Sequence, residues 1–174
     1  MHEYLQKLSL EIVSPDAEFQ LKHFHYQDAE ELFQLIDRNR NHLSQFGERI
    51  SQKYPTSVSV QNALILMPST LFWFGIRNQQ NALMGSVSLI NHWKYNKDGE
   101  IGYWLGREFT GQGYMTNAVK LLTRFAFTNL GIVKITAEAH HSNSPSIKVL
   151  AQSGFEFVSL AQARNYFQFE KLPG

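Results

Sequence analysis

Residues 105–116 read Leu-Gly-Arg-Glu-Phe-Thr-Gly-Gln-Gly-Tyr-Met-Thr, and this stretch decides how the rest of the chain is interpreted. It follows a strand-like run at residues 100–105 and opens the most regular helical pattern in the sequence. Gly111 and Gly113 flank Gln112, so successive backbone N–H groups can turn inward without a Cβ in the way. Because a helix terminus adds partial positive charge to these donors, the stretch predicts a binding site for an anionic group.

This glycine loop (residues 111–116) does not match the standard nucleotide motifs. A dinucleotide fingerprint requires a third glycine where Thr116 stands. A nucleoside-triphosphate loop requires Gly-Lys-Ser or Gly-Lys-Thr, and no such tripeptide follows Gly111. An ordinary strand-to-helix turn therefore stays open as the alternative to a phosphate site.

Length and composition indicate one domain over residues 1–174. Hydrophobic residues make up 43% and charged residues 18%, which is typical of a globular chain rather than a disordered one. The net charge of +1, without a basic block, argues against nucleic acid or a membrane surface as the main partner. The absence of cysteine excludes disulfides, thiolate zinc sites and cysteine nucleophiles. No signal peptide or membrane-spanning run is visible, so we expect a cytoplasmic protein.

The first part of the chain predicts one strand followed by helices. Residues 19–24 alternate as a strand does. Asp28 is the predicted N-cap of a helix that ends near residue 40, with Glu31 completing a capping box. Two further helices are predicted at residues 41–46 and 59–67.

The second part predicts a strand-rich region built around one long helix. The predicted strands cover residues 71–77, 83–90, 100–105, 133–139, 155–160 and 166–172, and the predicted helices cover residues 114–130 and 143–152. The fold class is α/β in the α+β sense: a mainly antiparallel sheet of six to seven strands with about four helices. Residues 100–139 form its one strand–helix–strand crossover.

Four short motifs occur in an order that resembles the GNAT acetyltransferases. They are Glu-Ile-Gly-Tyr-Trp-Leu at 100–105, Gly-Gln-Gly-Tyr-Met-Thr at 111–116, Asn-Ser-Pro-Ser at 143–146 and Ser-Gly-Phe at 153–155. Within that superfamily the chain is similar to the RimJ/RimL-like branch, which acetylates N-terminal amines of ribosomal proteins and, in many relatives, other amines. The resemblance implies an N-acetyltransferase that uses acetyl-CoA.

The resemblance also implies a twisted sheet that is splayed into a V between the strands at 100–105 and 133–139, with acetyl-CoA entering the V. Backbone at Trp104 and Leu105 is expected to face the pantetheine arm. The expected diphosphate donors are the N–H groups of Gly111, Gln112, Gly113, Tyr114, Met115 and Thr116. Asn143 and Ser146 are expected to contact the coenzyme from the next helix. The alternative role of Asn143 is that of a helix N-cap, which the same side chain could combine with the coenzyme contact.

Two positions depart from common family patterns. Relatives often carry Arg or Gln three residues before the first loop glycine, where this chain has Glu108, and we expect that carboxylate to point to solvent. Many relatives place a tyrosine seven residues after the helix asparagine to protonate the leaving thiolate, where this chain has Leu150. Rim-like members instead have a serine three residues after the asparagine. Ser146 is therefore expected to hydrogen-bond the coenzyme sulfur as it leaves, and its alternative is a local helix contact.

Acetyl transfer requires a neutral amine, a polarised thioester carbonyl and stabilisation of the departing thiolate. Without a cysteine nucleophile, direct attack by the amine is the simplest route. Glu100 is the expected general base, acting directly or through water, and its alternative is a solvated carboxylate paired with Lys94 or Lys97.

The amine pocket and the acceptor are less strongly specified. Trp93, Tyr103 and Tyr166 are candidate substrate-binding residues, although aromatic residues on strands are more often core. The motifs do not select among a ribosomal-protein N-terminus, a polyamine, an amino-sugar drug and a small metabolite, or between a monomer and a homodimer. A non-catalytic acyl-CoA-binding module and a ligand-free interaction protein are the alternative functions. No metal is expected, because the His-x-His pair at 23–25 and the His-His pair at 140–141 lack further ligands at suitable spacing.

Overall fold

The computed structural model describes residues 10–16, 18–46, 50–92, 96–160 and 165–174. Its strands are β1 (Glu11–Val13), β2 (Phe19–His23), β3 (Leu71–Asn78), β4 (Leu83–Asn91), β5 (Asp98–Leu105), β6 (Lys134–His140), β7 (Glu156–Leu160) and β8 (Tyr166–Lys171). They form one sheet in the order β1-β2-β3-β4-β5-β6-β8-β7, in which only β5 and β6 are parallel neighbours. The predicted α+β class is confirmed.

The helices are α1 (Ala29–Arg38), α2 (Arg40–Leu43), α3 (Ile50–Lys53), α4 (Ser57–Ile65), α5 (Tyr114–Asn129) and α6 (Ser144–Gln152). The four longer ones correspond in number to the prediction, and α2 and α3 are single turns. The predicted strand count was one too low, because β1 has three residues and only a short apolar run marked it in the sequence. Pairing with β2 defines this strand, with Ile12 opposite Leu21.

The predicted capping box at the start of α1 is wrong. Asp28 makes no side-chain cap bond; its Oδ2 accepts the backbone N–H of His25 at 2.8 Å instead. Its Oδ1 lies 3.1 Å from the guanidinium of Arg77, and a Glu31 carboxylate oxygen lies 2.7 Å from the same group. Because Arg77 is buried and needs counter-charges, this long-range ion-pair network takes both carboxylates that the local motif would have used.

The sheet separates two hydrophobic cores. The large core joins one sheet face to α5 and α6, with Leu122, Ile135 and Leu150 among its fully buried residues. The small core joins the other face to α1 and α4, with Leu32 and Trp73 at its centre. None of the helices in the described ranges combines the length and apolar character that a membrane crossing requires.

The faces of β5 follow from this division. Ile101 and Leu105 belong to the large core, while Trp104 belongs to the small core. Since side chains alternate along a strand, Tyr103 shares the large-core side with Ile101, and Glu100 lies on the opposite side with Trp104. Glu100 and Tyr103 therefore lie on opposite faces of β5.

The ladder between β5 and β6 is short. It has three residue pairs, Asp98–Lys134, Gly99–Ile135 and Glu100–Thr136, whereas β4 and β5 pair over seven. Beyond Glu100 the two parallel strands no longer pair, so the sheet opens toward their carboxyl ends. This opening is the predicted V. The loop after β5 and the start of α6 after β6 both lie at its open end.

Candidate functional site

The glycine loop follows β5 and leads into α5. Gly111 has φ 76° and Gly113 has φ 83°, which is the left-handed region that side chains other than glycine rarely adopt. A Cβ at either position would meet no atom within 4 Å. Glycine is therefore required here for the backbone conformation, and the space beside the loop is open.

The start of α5 supplies a row of backbone donors. The N–H of Asn117 donates to the carbonyl of Gly113 at 3.1 Å and begins the helical ladder. Among the residues that the structure describes, no N–H from 111 to 116 donates to a protein acceptor. These donors stand at the positive end of a 16-residue helix, so the loop fits a diphosphate in both hydrogen bonding and charge.

Glu108 lies three residues before Gly111, and its carboxylate is paired with an arginine. Its carboxylate lies 3.2 Å from the guanidinium of Arg38 at the end of α1, and the side chain is 44% exposed. Glu108 is thus partly exposed to solvent, as the sequence predicted, but it also forms an ion pair that the sequence did not predict. The ion pair with Arg38 reduces the repulsion that an isolated carboxylate would exert on a phosphate.

Asn39 also fixes the segment that leads into the glycine loop, and the sequence did not predict this role. Its Oδ1 accepts the backbone N–H of Arg107 at 2.9 Å, and its Nδ2 donates to the carbonyl of Leu35 at 3.0 Å. The side chain is buried. No local signal could have revealed this contact, because the two bonded residues are 68 positions apart.

The start of α6 forms the other wall of the V. Asn143 is the helix N-cap: its Oδ1 accepts the backbone N–H of Ser146 at 3.1 Å. This local role was the alternative that the sequence left open for Asn143, and it is compatible with a ligand contact by the same side chain. The cap fixes Ser146 in the first turn of the helix.

Ser146 is joined to Tyr103 across the V. The Tyr103 hydroxyl lies 2.9 Å from Ser146 Oγ and donates to the Ser146 carbonyl at 3.0 Å. The structure thus places Tyr103 beside the candidate sulfur-contacting residue, on the large-core side of β5. Leu150, one turn further along α6, is fully buried in the large core.

Glu100 lies on the other side of the sheet, on what we term the open face. The open face consists of partly or fully exposed positions on the small-core side of β5, β6 and β8: Glu100, Gly102, Thr136, Glu138, His140, Tyr166 and Gln168. The Glu100 side chain is 53% exposed, and its ion-pair distance is 4.0 Å to Nε2 of His92. His92, rather than Lys97, is thus its neighbour, and Lys94 lies outside the described residues.

The candidate amine-pocket residues separate in space. Tyr166 lies on the open face directly opposite His140, with ring centroids 5.3 Å apart in an edge-on arrangement. Tyr103 lies on the other side of the sheet, next to Ser146. Trp93 falls outside the described residues.

The candidate pantetheine contacts lie where β5 has left β6. The side chains of Trp104 and Leu105 are buried in the two cores, so they leave only backbone groups for a ligand. Both residues pair with β4 on one side, and their other edge faces the opening of the V. An extended chain with amide groups can pair with such a strand edge.

Ion pairs fasten the closed end of the V. Lys134 Nζ lies 3.4 Å from Asp98 and 3.5 Å from Glu170, which joins β6 to both neighbouring strands. Burial lowers the pKa of Lys134, but the attraction of these two carboxylates outweighs it, and the pKa is raised above its usual value. The strands are therefore tied at this end and separate only toward the glycine loop.

In each of the two histidine pairs, the two imidazole rings pack against each other. His23 and His25 are 5.9 Å apart edge-on, and His140 stacks on His141 at 4.6 Å. Within the described ranges, no three His, Asp or Glu side chains converge as metal ligands would.

Comparison with known proteins gives concordant matches. Residues 18–156 match the acetyltransferase (GNAT) domain family. The chain is 30% identical over 142 residues to the probable N-acetyltransferase YjcK of Bacillus subtilis, covering 78% of each protein. It is 29% identical over 138 residues to the putative ribosomal N-acetyltransferase YdaF of the same organism, covering 74% of this chain and 73% of that protein.

A solved structure extends the likeness to the fold of a coenzyme complex. The microcin C7 self-immunity acetyltransferase MccE, solved with acetyl-CoA and AMP, superposes with a TM-score of 0.73. The two sequences are 25% identical, and the match covers 90% of this chain and 93% of that one. The fold that carries the glycine loop and the V here is thus one that binds acetyl-CoA in a relative.

Proposed function

The chain belongs to the GNAT acetyltransferases, and from this membership we propose that it acetylates the N-terminal amine of a protein. It is an N-acetyltransferase whose acetyl donor is acetyl-CoA. The observation that carries the proposal is the opening between β5 and β6, with an anion-binding loop beside it and polar side chains at its rim. Ligands of sheets with parallel strands bind at such carboxyl ends.

Residues at the V hold the coenzyme. The N–H groups of Gly111, Gln112, Gly113, Tyr114, Met115 and Thr116 bind its diphosphate, backbone at Trp104 and Leu105 pairs with the pantetheine amides, and Asn143 and Ser146 contact its thiol end. Acetyl-CoA supplies the acetyl group as a thioester. The open space beside both loop glycines supports this assignment, because no side chain of the described chain competes for it.

Glu100 acts as the general base on the acceptor. It removes a proton from the ammonium group, directly or through a water molecule, so that the neutral amine attacks the thioester carbonyl. Its exposure and its place on the open face support this role, since an incoming amine can reach it from solvent. Its distance to His92 is 4.0 Å, at the limit of an ion pair, so that contact does not block the approach of an amine.

Ser146 stabilises the leaving sulfur. Its hydroxyl stands in the first turn of α6, where the N-terminal end of the nine-residue helix favours negative charge. A hydrogen bond from Oγ to the developing thiolate lowers the barrier to C–S cleavage.

The acceptor lies on the open face. Tyr166 and Glu138 line it with Glu100, and a protonated N-terminus is attracted by the two carboxylates before it loses its proton. One of the relatives is named for ribosomal N-acetylation, which supports a protein terminus over a small metabolite. Trp93 remains a proposed pocket residue from the sequence.

A thiol-release assay with acetyl-CoA tests the proposal. We expect coenzyme A release with peptides that begin with serine or alanine, and none with the same peptides carrying an N-acetyl group. Spermidine serves as the small-amine comparison. Turnover with spermidine but with no peptide would contradict the acceptor class. Calorimetric binding of acetyl-CoA without thiol release from any amine would favour a non-catalytic acyl-CoA-binding module.

A further inference from the structure

Two hydroxyl groups meet across the V. The phenol oxygen of Tyr103, on β5, lies 2.9 Å from Ser146 Oγ, on α6. The same phenol lies 3.0 Å from the Ser146 carbonyl, so its single proton can be donated either to that carbonyl or to Oγ. Asn143 Oδ1 accepts the Ser146 N–H at 3.1 Å. Tyr103 and Asn143 therefore both fix the position of Ser146, and the Ser146 hydroxyl is hydrogen-bonded to the phenol of Tyr103.

The acid strengths of the groups differ. The thiol that leaves has a pKa near that of cysteine, about 8.5, and a tyrosine hydroxyl has a pKa of about 10. A proton transfer from tyrosine to the thiolate is thus disfavoured by only about 30-fold in equilibrium constant. An aliphatic serine hydroxyl is a far weaker acid, so Ser146 alone can hydrogen-bond the thiolate but cannot supply its proton.

We propose that Tyr103 is a positioning residue that supplies the thiolate proton through Ser146. This inference rests on the proposed function, because the sulfur is taken to leave beside Ser146. In the transfer step, the amine nitrogen forms the C–N bond, the C–S bond breaks and its electron pair stays on sulfur. Ser146 Oγ gives its proton to sulfur, and the proton of the Tyr103 hydroxyl turns from the Ser146 carbonyl to Oγ and replaces it.

The proton inventory closes through solvent. The acceptor nitrogen loses two protons: the ammonium proton leaves through Glu100 before attack, and a second proton leaves to solvent as the amide forms. The resulting tyrosinate regains one proton from solvent, so each turnover releases one proton overall. The two transfers use opposite sides of β5, since Tyr103 and Glu100 lie on different faces of the strand. The proposed base and the proposed proton source are thereby separated by the strand.

The environment of Tyr103 suits this role. Its ring is partly buried against the large core, while its hydroxyl projects to α6. In such a low-dielectric setting a hydroxyl–hydroxyl bond is stronger than in water and is polarised by the group beyond it. On α6 itself, Leu150 is fully buried and apolar and offers no proton.

The test is Tyr103→Phe, which keeps the ring and removes the hydroxyl. We expect kcat with acetyl-CoA and a serine-initiated peptide to fall by about 100-fold, the lower range for loss of a general acid. The KM for acetyl-CoA and its calorimetric affinity should stay within a factor of about two, because the lost proton transfer contributes to the transition state and not to the binding of acetyl-CoA. Tyr26→Phe, an exposed tyrosine remote from the V, is the matched control and should match the parent.

Two further measurements distinguish whether Tyr103 supplies a proton or only fixes the position of Ser146. With 4-nitrophenyl thioacetate, whose thiolate leaves without a proton, the parent and Tyr103→Phe should have nearly equal kcat/KM. Ser146→Ala should lower kcat with acetyl-CoA, and adding Tyr103→Phe to it should cause little further loss, because the two residues act in one chain.

Specific outcomes overturn the inference. A parent-like kcat for Tyr103→Phe across about pH 7 to 10 would show that the hydroxyl supplies no proton. An equal loss with 4-nitrophenyl thioacetate would show that Tyr103 only orders Ser146. Failure of the parent protein to bind acetyl-CoA would instead remove the proposed function, which the calorimetric arm distinguishes from either result.

Discussion

The Oδ1 atom of Asn39 accepts the backbone N–H of Arg107 at 2.9 Å and so ties the end of α1 to the segment that leads into the glycine loop. Helices that pack on the small core thereby help to position the glycine loop, which lies on the large-core side of the sheet. The contact joins the small-core and large-core sides of the molecule, and the Asn39 side chain that makes it is buried.

Asn39→Leu should weaken both the fold and the coenzyme site. It leaves the Arg107 N–H without its acceptor at a part-buried contact and the Leu35 carbonyl without the buried Nδ2 donor, so we expect a cost of about 1–2 kcal/mol. Urea unfolding measures the stability, and calorimetry measures the affinity for acetyl-CoA. Arg38→Ala removes the neighbouring exposed ion pair with Glu108 and should cost less than about 1 kcal/mol. Equal losses in the two variants would contradict a special role for Asn39.

Gly113→Ala should reduce coenzyme affinity through the backbone alone. No atom lies within 4 Å of the added Cβ, so any effect comes from the φ of 83°, where a non-glycine residue is disfavoured by about 1–2 kcal/mol. Gly131 has φ 64° and equally open space at the far end of α5. Gly131→Ala is therefore the control. Both variants should lose similar stability, and only Gly113→Ala should bind acetyl-CoA more weakly by calorimetry.

Arg77→Met should destabilise the protein strongly. The Arg77 side chain is 5% exposed, and its guanidinium donates to Asp28, Glu31 and the carbonyl of Asn81. Its removal leaves the Asn81 carbonyl without its donor and two carboxylates without their counter-charge, but because Asp28 and Glu31 are themselves partly exposed we expect a cost of about 2–3 kcal/mol. Chemical unfolding is the measurement.

The comparison for Arg77 is an exposed ion pair on the same sheet. Lys22 and Glu11 lie 2.9 Å apart, and each side chain is at least one-third exposed. Lys22→Met should therefore change the unfolding free energy by less than about 1 kcal/mol. If Arg77→Met were as mild as Lys22→Met, the network would not anchor α1 to the β3–β4 hairpin.

Arg77 also shows where sequence reasoning reached its limit. Asp28 and Glu31 have the spacing of a capping box, and a local pattern cannot reveal that an arginine 46 residues away from Glu31 will claim them. The glycine loop, the long helix α5 and the N-cap Asn143 were predictable because each depends on neighbours within a few residues. The short strand β1 was not, since pairing with β2 rather than its own length defines it.

The same limit applies to the candidate site. Ser146 was identified from a short motif, but its partner Tyr103 comes from another element 43 residues away. Sequence alternation could have assigned Tyr103 and Glu100 to opposite faces of β5, but it could not say which face carries α6. Only the packing of the two cores decides that.

Lys171 should make stability rise with pH. Burial lowers its pKa below the usual 10.5, and the nearby positive charge of Lys120 lowers it further. Between the lowered pKa and 10.5 the unfolded chain binds more protons than the folded one, so the free energy of unfolding increases as pH rises through that window. As a neutral amine, Lys171 can still donate to the Ser153 carbonyl at 2.7 Å.

Lys171→Met isolates this effect from other groups that titrate at high pH. The difference in unfolding free energy between the parent and Lys171→Met, measured by urea denaturation at successive pH values, should grow in favour of the parent as pH approaches 10.5. A difference that stays constant, or that shifts toward the variant, would show that Lys171 is not destabilised by its charge in the folded state.

Glu100→Gln should lower kcat by about 100-fold near neutral pH, because the amide cannot take the ammonium proton. Activity should recover as pH approaches the pKa of the acceptor, where the amine is neutral without a base. Glu138→Gln is the matched control: it removes a carboxylate from the same open face, so we expect a higher KM for the peptide and a nearly unchanged kcat. Steady-state thiol release across pH measures all three proteins. Turnover that stays at the parent level in Glu100→Gln at every pH would exclude Glu100 as the base and leave a water chain or another group to accept the proton.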